Sequence, residues 1–280
     1  MSETLLIVDG YDRQGRAKLA EAGCTLAGTL YENMIRRFLP DATVTILHPA
    51  DADENLPSGA GLAAYDAVLW TGSSLTIYHD TPEVTRQVDL ARAVYEAGVP
   101  SFGSCWALQV ATLAAGGTCR LNPNGREFGI SRKITLTDAG RGHPLYTGKP
   151  ITFDAFTSHF DEVETLPPGA LLLAGNRISP VQAAVIEKNG TPFWAVQYHP
   201  EYDLAEVAAL TRFRMDGLVD EGRFADHTTA HAFVADLEAL HADPAHFDIA
   251  WRLGIDRDVM DPDLRTLEVR NWIENVLRSA

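Results

Sequence analysis

The chain has 280 residues, of which 46% are hydrophobic and 22% charged, and its formal net charge is −15. This composition is typical of globular proteins and excludes disordered, collagen-like and coiled-coil chains. The excess of acidic residues disfavours binding to phosphate backbones and anionic lipids, so neither nucleic acid nor a membrane is expected as a partner. The sequence has no leader-like N-terminus and no long apolar run, which predicts a cytoplasmic protein.

The chain has 3 cysteines, too few and too irregularly spaced for a disulfide framework or a cysteine-based zinc site. The histidines are scattered, without the helical pairing of a zinc site, so we expect no metal centre. No phosphate-binding loop or other nucleotide-binding motif is present, and no cofactor is expected. One cysteine is therefore available for chemistry.

Short β-branched runs alternate with longer segments of helical period, which predicts an α/β fold with a mostly parallel open sheet flanked by helices. The expected strands are residues 5–9, 43–47, 67–71 and 99–102, strand-like segments between 130 and 156, and residues 171–174, 182–186 and 193–198. The expected helices are residues 30–38, 82–97 and 106–115, and a helix from residue 204 onwards.

Strand patterns stop after Gly222, and helical patterns follow over residues 231–241 and 264–277. The sequence therefore predicts a main domain over residues 1–222 and a C-terminal helical extension over residues 223–280. Trp251 and Trp272 in this extension are expected to be core residues. The apolar faces of its helices need a partner, either the main domain, which we favour, or a second copy of the chain.

Cys105 lies at the predicted junction of a strand and a helix, where Gly103 and Ser104 allow a sharp turn. Its sulfur would face the carboxyl end of the sheet, and the amide dipoles of the following helix would stabilise a thiolate. A lone cysteine is more often buried and inert, and the local pattern leaves this alternative open. Cys24 and Cys119 lie outside such a junction and are expected to be packing residues.

His199 follows a predicted strand, and Glu201 comes two residues later. Residues i and i+2 of an extended segment project to the same side, so Glu201 could orient one ring nitrogen while the other faces a thiol. A His-x-Glu pair alone is weak evidence, because nine histidines make chance neighbours common. Together with Cys105, the pair predicts a nucleophile, base and orienting carboxylate.

Gly72 and Ser73 directly follow another predicted strand. Small residues at this position allow backbone N–H groups to face a substrate carbonyl, whose developing negative charge needs such donors. A simple surface turn is the alternative for this segment by itself.

These motifs together resemble the class I glutamine amidotransferases, of which the glutaminase domain of GMP synthase is a familiar member. The matching segments occur in the family's order and cover roughly residues 5 to 215. They are residues 71–78 (oxyanion loop), 103–109 (nucleophile segment), 126–129 (Glu-x-Gly), 158–163 (Ser-His-x-Asp-x-Val) and 199–201 (His-Pro-Glu). The resemblance implies a flavodoxin-like α/β fold with the helical extension appended.

The resemblance also implies a mechanism. Cys105 would attack the side-chain amide of glutamine, His199 would transfer the proton to ammonia, and Glu201 would orient His199. The backbone amides of Gly72 and Trp106 would then bind the oxyanion. Ser73 lies close to this pair in the sequence pattern and belongs to the same expected oxyanion site.

By the same resemblance, Gln109 and the backbone around Ser158, His159 and Phe160 would hold the amino-acid end of the substrate. For Ser158 and His159, a structural turn is nearly as good an interpretation. The family usually has glycine where this chain has Ala107, and the additional methyl group could crowd the turn.

Three functions remain open. The first is a glutaminase that acts alone or supplies ammonia to a separate synthetase subunit, since no synthetase signature accompanies the motifs and the chain is not expected to be a complete GMP synthase. The second is a hydrolase of another γ-glutamyl amide or peptide. The third is a non-catalytic binding subunit, supported only by Ala107. A homodimer is open as an assembly.

Overall fold

A computed structural model of the protein describes residues 2–278, so the end residues 1 and 279–280 of the predicted domains lie outside the described residues. The strands are β1 (Thr4–Val8), β2 (Thr43–Leu47), β3 (Ala67–Trp70), β4 (Ser101–Ser104), β5 (Thr118–Leu121), β6 (Glu127–Leu136), β7 (Thr152–His159), β8 (Asp161–Thr165), β9 (Leu171–Gly175), β10 (Ala183–Lys188) and β11 (Thr191–Val196).

The helices are α1 (Arg13–Glu21), α2 (Ala27–Arg36), α3 (Pro82–Ala97), α4 (Trp106–Ala115), α5 (Asp138–Gly142), α6 (Leu204–Phe213), α7 (Met215–Asp220), α8 (His227–Ala242), α9 (Phe247–Leu253), α10 (Arg257–Met260), α11 (Pro262–Arg265) and α12 (Leu267–Trp272). Short 3₁₀ turns occupy Gly59–Gly61 and Pro144–Tyr146, and a π-helical turn covers Ile273–Leu277.

The large sheet has the strand order β2-β1-β3-β4-β11-β10-β9-β6-β7. Its first five strands run parallel, and antiparallel pairings extend it from β11 to β7. β5 and β8 form a separate antiparallel pair. The predicted α/β fold with a parallel sheet is confirmed, and the antiparallel part makes the sheet mixed.

The two ends of helix α3 lie where local sequence signals predict them. It follows Thr81, has Pro82 at its first position and stops at Gly98, which has φ 74°. After this cap the Val99 N–H still bonds to the Val94 carbonyl of the helix, and Pro100 has no N–H to donate to a strand. Strand β4 therefore begins at Ser101, two residues later than predicted, and the predicted turn at residues 103–104 is the end of the strand.

Helices cover both faces of the sheet, as is typical of parallel strands. Residues of α3 and α4 pack on one face, and residues of α2 and α12 pack on the other. Trp272 is fully buried, with its ring centroid 5.8 Å from that of Phe102 in β4. The prediction for Trp272 is confirmed.

The prediction that Trp251 is a core residue is wrong, because its side chain is 77% exposed. Helix α9 buries Ile249 and Ala250, and Trp251 projects from the opposite side beside the exposed Phe247. The apolar pattern of this segment indicated a helix but did not indicate which side would be covered.

The C-terminal helices pack against the preceding part of the chain, as favoured above. Lys149 Nζ lies 3.0 Å from Glu268 Oε1, and both side chains are almost completely buried. The Tyr198 hydroxyl donates to Glu268 at 2.6 Å, and Asn271 Nδ2 donates to the carbonyl of Leu145 at 2.9 Å. The helix predicted over residues 264–277 is broken at Thr266 into α11 and α12, which brings Glu268 to this contact.

We expect Glu268→Gln to lower the free energy of unfolding by about 3–5 kcal/mol, because it leaves the buried Lys149 ammonium without a carboxylate. Denaturant unfolding measures this change. Asp89→Asn, which breaks an exposed ion pair with Arg92, is the matched control and should cost less than about 1 kcal/mol. Equal costs for the two variants would contradict the prediction.

Candidate active site

Three neighbouring parallel strands, β3, β4 and β11, bring Gly72, Cys105 and His199 together. Each of these residues follows the carboxyl end of its strand. A Cβ placed on Gly72 would lie 2.9 Å from Cε1 of His199 and 3.8 Å from Cβ of Cys105. Because only a hydrogen occupies that space, glycine allows the loop after β3 to approach the other two residues.

Cys105 occupies a strained turn between β4 and α4. Its φ is 55° and its ψ −102°, its N–H donates to the Val196 carbonyl at 2.7 Å, and its side chain is buried. Positive φ is unusual for a residue with a side chain and is frequent at nucleophile turns between strand and helix. The turn exposes one edge of the thiol to a cavity.

Ala107 fits this turn because residue 103 is glycine. Ala107 is completely buried, and a Cβ on Gly103 would come within 2.3 Å of the Ala107 methyl carbon. The Ala107 methyl group thus packs directly against Gly103, and a larger residue at position 103 would clash with it. Ala107 is also not among the residues that line the cavity at Cys105.

His199 and Glu201 form a buried pair beside Cys105. The distance from Nδ1 to Oε1 is 2.6 Å, and the side chains are 2% and 3% exposed. The Ser104 hydroxyl donates to the same carboxylate oxygen at 2.9 Å, and the buried Tyr31 hydroxyl donates to Ser104 at 2.6 Å. This chain of donors holds the Glu201 side chain in place, and Glu201 in turn fixes the imidazole ring.

The opposite nitrogen of His199, Nε2, meets no oxygen or nitrogen of residues 2–278 at hydrogen-bond distance. The ring stacks flat on Tyr202, with centroids 3.9 Å apart. Burial lowers the pKa of His199, but Glu201 and Cys105 raise it by more than burial lowers it. The pKa is therefore about 10. The histidine is therefore an imidazolium at neutral pH, a form that favours the thiolate of a neighbouring cysteine.

The loop after β3 is anchored to the loop after β1. Ser73 Oγ donates to the Gly10 carbonyl at 2.8 Å, and Gln87 Nε2 donates to the same oxygen at 3.0 Å. The Trp106 indole donates to the Gln87 amide oxygen at 2.8 Å. Gln87 thus links the loop to the first residue of α4. Gly72, Ser73 and Trp106 lie near Cys105, and their role as an oxyanion site stays a prediction.

A cavity of about 350 Å³ opens at Cys105. Gln109 lies one helical turn after the cysteine and donates to the Asp161 carbonyl at 3.2 Å. The residues predicted to contact substrate, Gln109, Ser158, His159 and Phe160, all line this cavity together with Ser73, Tyr78, Leu121, Arg126, Asp161 and Arg214.

His159 has little freedom to bind a ligand through its ring nitrogens. Nε2 lies 3.0 Å from the Glu127 carboxylate, and Nδ1 lies 2.9 Å from the Asp161 carbonyl. Glu127 also accepts hydrogen bonds from Asn176 and Gln182. This buried network holds the end of β7 and supports the structural interpretation for the His159 side chain.

Two arginines at the cavity were missed by the sequence analysis. Arg126 stacks over the Phe160 ring at 3.7 Å and pairs with Glu221 at 3.1 Å. Arg214 follows α6, and its guanidinium donates to the Ser158 hydroxyl. Arg126 lies beside a recognised motif, but no local signal marks Arg214, because it reaches the cavity only through the packing of α6.

The described part of the chain holds neither a cluster of metal-ligating side chains nor a membrane-spanning helix. Residues 2–278 contain no group of three or more His, Cys, Asp or Glu side chains that could hold a metal ion. None of the described helices is long and apolar enough to cross a membrane.

Comparisons with known proteins agree with this geometry. The family model described as glutamine amidotransferase class-I matches residues 28–213. A γ-glutamyl-L-1-hydroxyisopropylamide hydrolase from a Pseudomonas species is 32% identical over 286 aligned residues, which cover 98% of this chain and 92% of the relative.

A GMP synthase from Nitrosomonas eutropha is 32% identical over 201 residues, which cover 68% of this chain and 36% of that protein. The crystal structure of a glutamine amidotransferase from Thermotoga maritima superposes with a TM-score of 0.65 at 16% identity, covering 97% of this chain and 98% of the other. This structural likeness shows the shared fold.

We expect His199 to titrate near pH 10, since its interactions with Glu201 and Cys105 outweigh burial. Glu201→Gln removes the carboxylate that stabilises the His199 imidazolium most and leaves the ring buried. The pKa of His199 should therefore fall by at least about one unit. NMR titration of labelled histidine measures both values, with His143 as an internal control. A wild-type midpoint at or below 6.5 would show that the pair does not act as described.

Proposed function

We propose that this protein, which belongs to the class I glutamine amidotransferase family, hydrolyses the γ-glutamyl amide of a small amine. The observation that carries the proposal is the buried His199–Glu201 pair at 2.6 Å beside the strained Cys105. The choice of substrate class is supported by the Pseudomonas amide hydrolase, because its match extends through the C-terminal helices as well as the region of the family model.

In the first proposed step, the Cys105 thiolate attacks the γ-carbonyl carbon of the substrate. The carbonyl oxygen becomes negatively charged, and the backbone amides of Gly72 and Trp106 are the proposed donors to it. Their proximity to Cys105 supports this assignment. Ser73 contributes by fixing the loop through its hydrogen bond to Gly10.

In the second step, the imidazolium of His199 gives its Nε2 proton to the leaving nitrogen. The C–N bond breaks, the amine departs, and the glutamyl group remains on Cys105 as a thioester. His199 is now neutral, and the negative charge on sulfur that stabilised its imidazolium is gone. The ring can then accept a proton from water, whose oxygen attacks the thioester carbon. The C–S bond breaks, glutamate is released, and the Cys105 thiolate and the His199 imidazolium are restored.

Glu201 has a positioning role in this scheme. Its carboxylate binds Nδ1 and leaves Nε2 directed away from it, so the ring keeps one orientation through both proton transfers. Ser104 and Tyr31 hold the carboxylate in turn. We expect the reaction to take place in the cytoplasm, where the three free cysteines would stay reduced.

Glutamine itself is the second candidate substrate. It is supported by the GMP synthase relatives, and ammonia would then be the leaving group, released or passed to a separate synthetase subunit. A non-catalytic binding role was supported only by Ala107. Since Ala107 packs against Gly103 without occupying the cavity, it no longer supports that role.

A panel of γ-glutamyl amides and glutamine distinguishes the two substrates. We expect glutamate release from amides of small alkylamines and hydroxyalkylamines with a higher kcat/KM than from glutamine. Chromatographic detection of both glutamate and the free amine measures this. A preference for glutamine over every amide in the panel would reject the proposal in favour of the glutaminase.

The same assay tests the role of the cysteine. Cys105→Ala should lower kcat at least about a thousandfold, because no other nucleophile is aligned with His199. Cys24→Ala and Cys119→Ala are matched controls at buried cysteines and should keep kcat within a small factor of wild type. Equal activity of Cys105→Ala and the controls would remove Cys105 from the mechanism.

A further inference from the structure

Among residues 2–278, Arg214 has no carboxylate partner at the candidate active site. Its side chain is partly buried, and no carboxylate of residues 2–278 lies within ion-pair distance of its guanidinium. Its polar neighbours are the hydroxyl groups of Ser158 and Tyr11, and it acts electrostatically on Tyr202 and Cys105. A guanidinium in this position has donors left for an acceptor that the chain does not supply.

The position of Arg214 places it on the His199 side of the nucleophile. Tyr202, one of its electrostatic partners, stacks flat on the His199 ring. Gln109, in contrast, is held at the Asp161 carbonyl, a full helical turn along α4 from Cys105. The leaving nitrogen must face His199 to receive its proton, and the Tyr202 ring that stacks on His199 links this side of the nucleophile to Arg214.

Arg214 lines a second cavity besides the one at Cys105. A second cavity, also of about 350 Å³, shares Arg214 and residues 74–75 with the first one. Its other lining residues include Tyr11, Gly15, Lys18 and Phe213. Arg214 therefore borders both cavities, and the second one offers room on its side for a leaving group larger than ammonia.

We infer that Arg214 determines specificity for the leaving group by donating hydrogen bonds to an oxygen of the amine, either a hydroxyl or a carboxylate. The inference rests on the proposed function and extends it from a substrate class to a recognition contact. This contact favours amines in which the oxygen is attached to the carbon next to the one that carries the nitrogen. Such an oxygen is within reach of a guanidinium beside His199.

Three substrates of almost the same shape test this contact: the γ-glutamyl amides of isopropylamine, of alaninol and of alanine. They carry a methyl, a hydroxymethyl and a carboxylate group at the same position. Wild-type kcat/KM should be about tenfold or more higher for at least one oxygen-bearing amide than for the isopropylamide. The alaninol and alanine arms distinguish the hydroxyl from the carboxylate.

Arg214→Met should bring that ratio of kcat/KM values close to one, and Arg214→Lys should give an intermediate ratio, because it keeps the charge without the planar fork. Arg212→Met, on the exposed side of the same helix and paired with Glu238, is the matched control and should keep the wild-type ratio. Tyr11→Phe removes an acceptor that orients Arg214 and should reduce the ratio even where Arg214→Met does not fold.

The outcomes separate the two proposals. Loss of activity that is equal for all three amides in the Arg214 variants means that Arg214 serves the thiolate or the glutamyl group, and the inference is wrong. A wild-type enzyme without preference among the amides also overturns the inference but leaves the proposed function standing. If wild-type enzyme cleaves none of the amides, the proposed function fails and the inference fails with it.

Discussion

The positive φ of Cys105 is the constraint on which the candidate active site depends. A non-glycine residue in this conformation costs of order 1–3 kcal/mol and persists only where its surroundings hold it. Here the Cys105 N–H is bound by Val196 of the adjacent strand, and Gly103 gives the first turn of α4 room to pack. Relaxing the turn would break both contacts, so strand pairing and helix packing together keep the thiol in place.

The same strand pairing brings the charges together. β11 lies next to β4, and His199 therefore follows its strand at the same edge as Cys105. Glu201 needs no distant element to reach the ring, but its second partner, Ser104, belongs to β4 and is held by Tyr31 from α2. The orientation of His199 thus depends on the neighbouring strand and on a helix that packs against one face of the sheet.

The charge distribution of the cavity differs from that of the whole chain. The chain carries a formal net charge of −15, but Arg126 and Arg214 face the cavity. Arg126 is balanced by Glu221, whereas no carboxylate of the described residues pairs with Arg214. Unbalanced positive charge at Arg214 suits a substrate that brings an oxygen acceptor to this side of the cavity.

The C-terminal helices are part of the same structure. Glu268 of α12 accepts a hydrogen bond from Tyr198, the residue directly before His199, and binds Lys149. This contact gives the appended helices a structural connection to the active-site strand. Some apolar side chains of the extension, such as Trp272, are covered by the chain itself, whereas Trp251 and Phe247 are exposed.

By itself, the sequence determined those features that depend on neighbours along the chain. Pro82 and Gly98 delimit α3, Gly116 ends α4, and the order of the motifs identifies the family. Tertiary structure decided what depends on packing: that Trp251 faces outward, that both ring nitrogens of His159 are already bound, and that Arg214 reaches the cavity. The physical reason is that periodicity and capping are local interactions, whereas the covered side of a helix and the partner of a buried charge are set by elements distant in sequence.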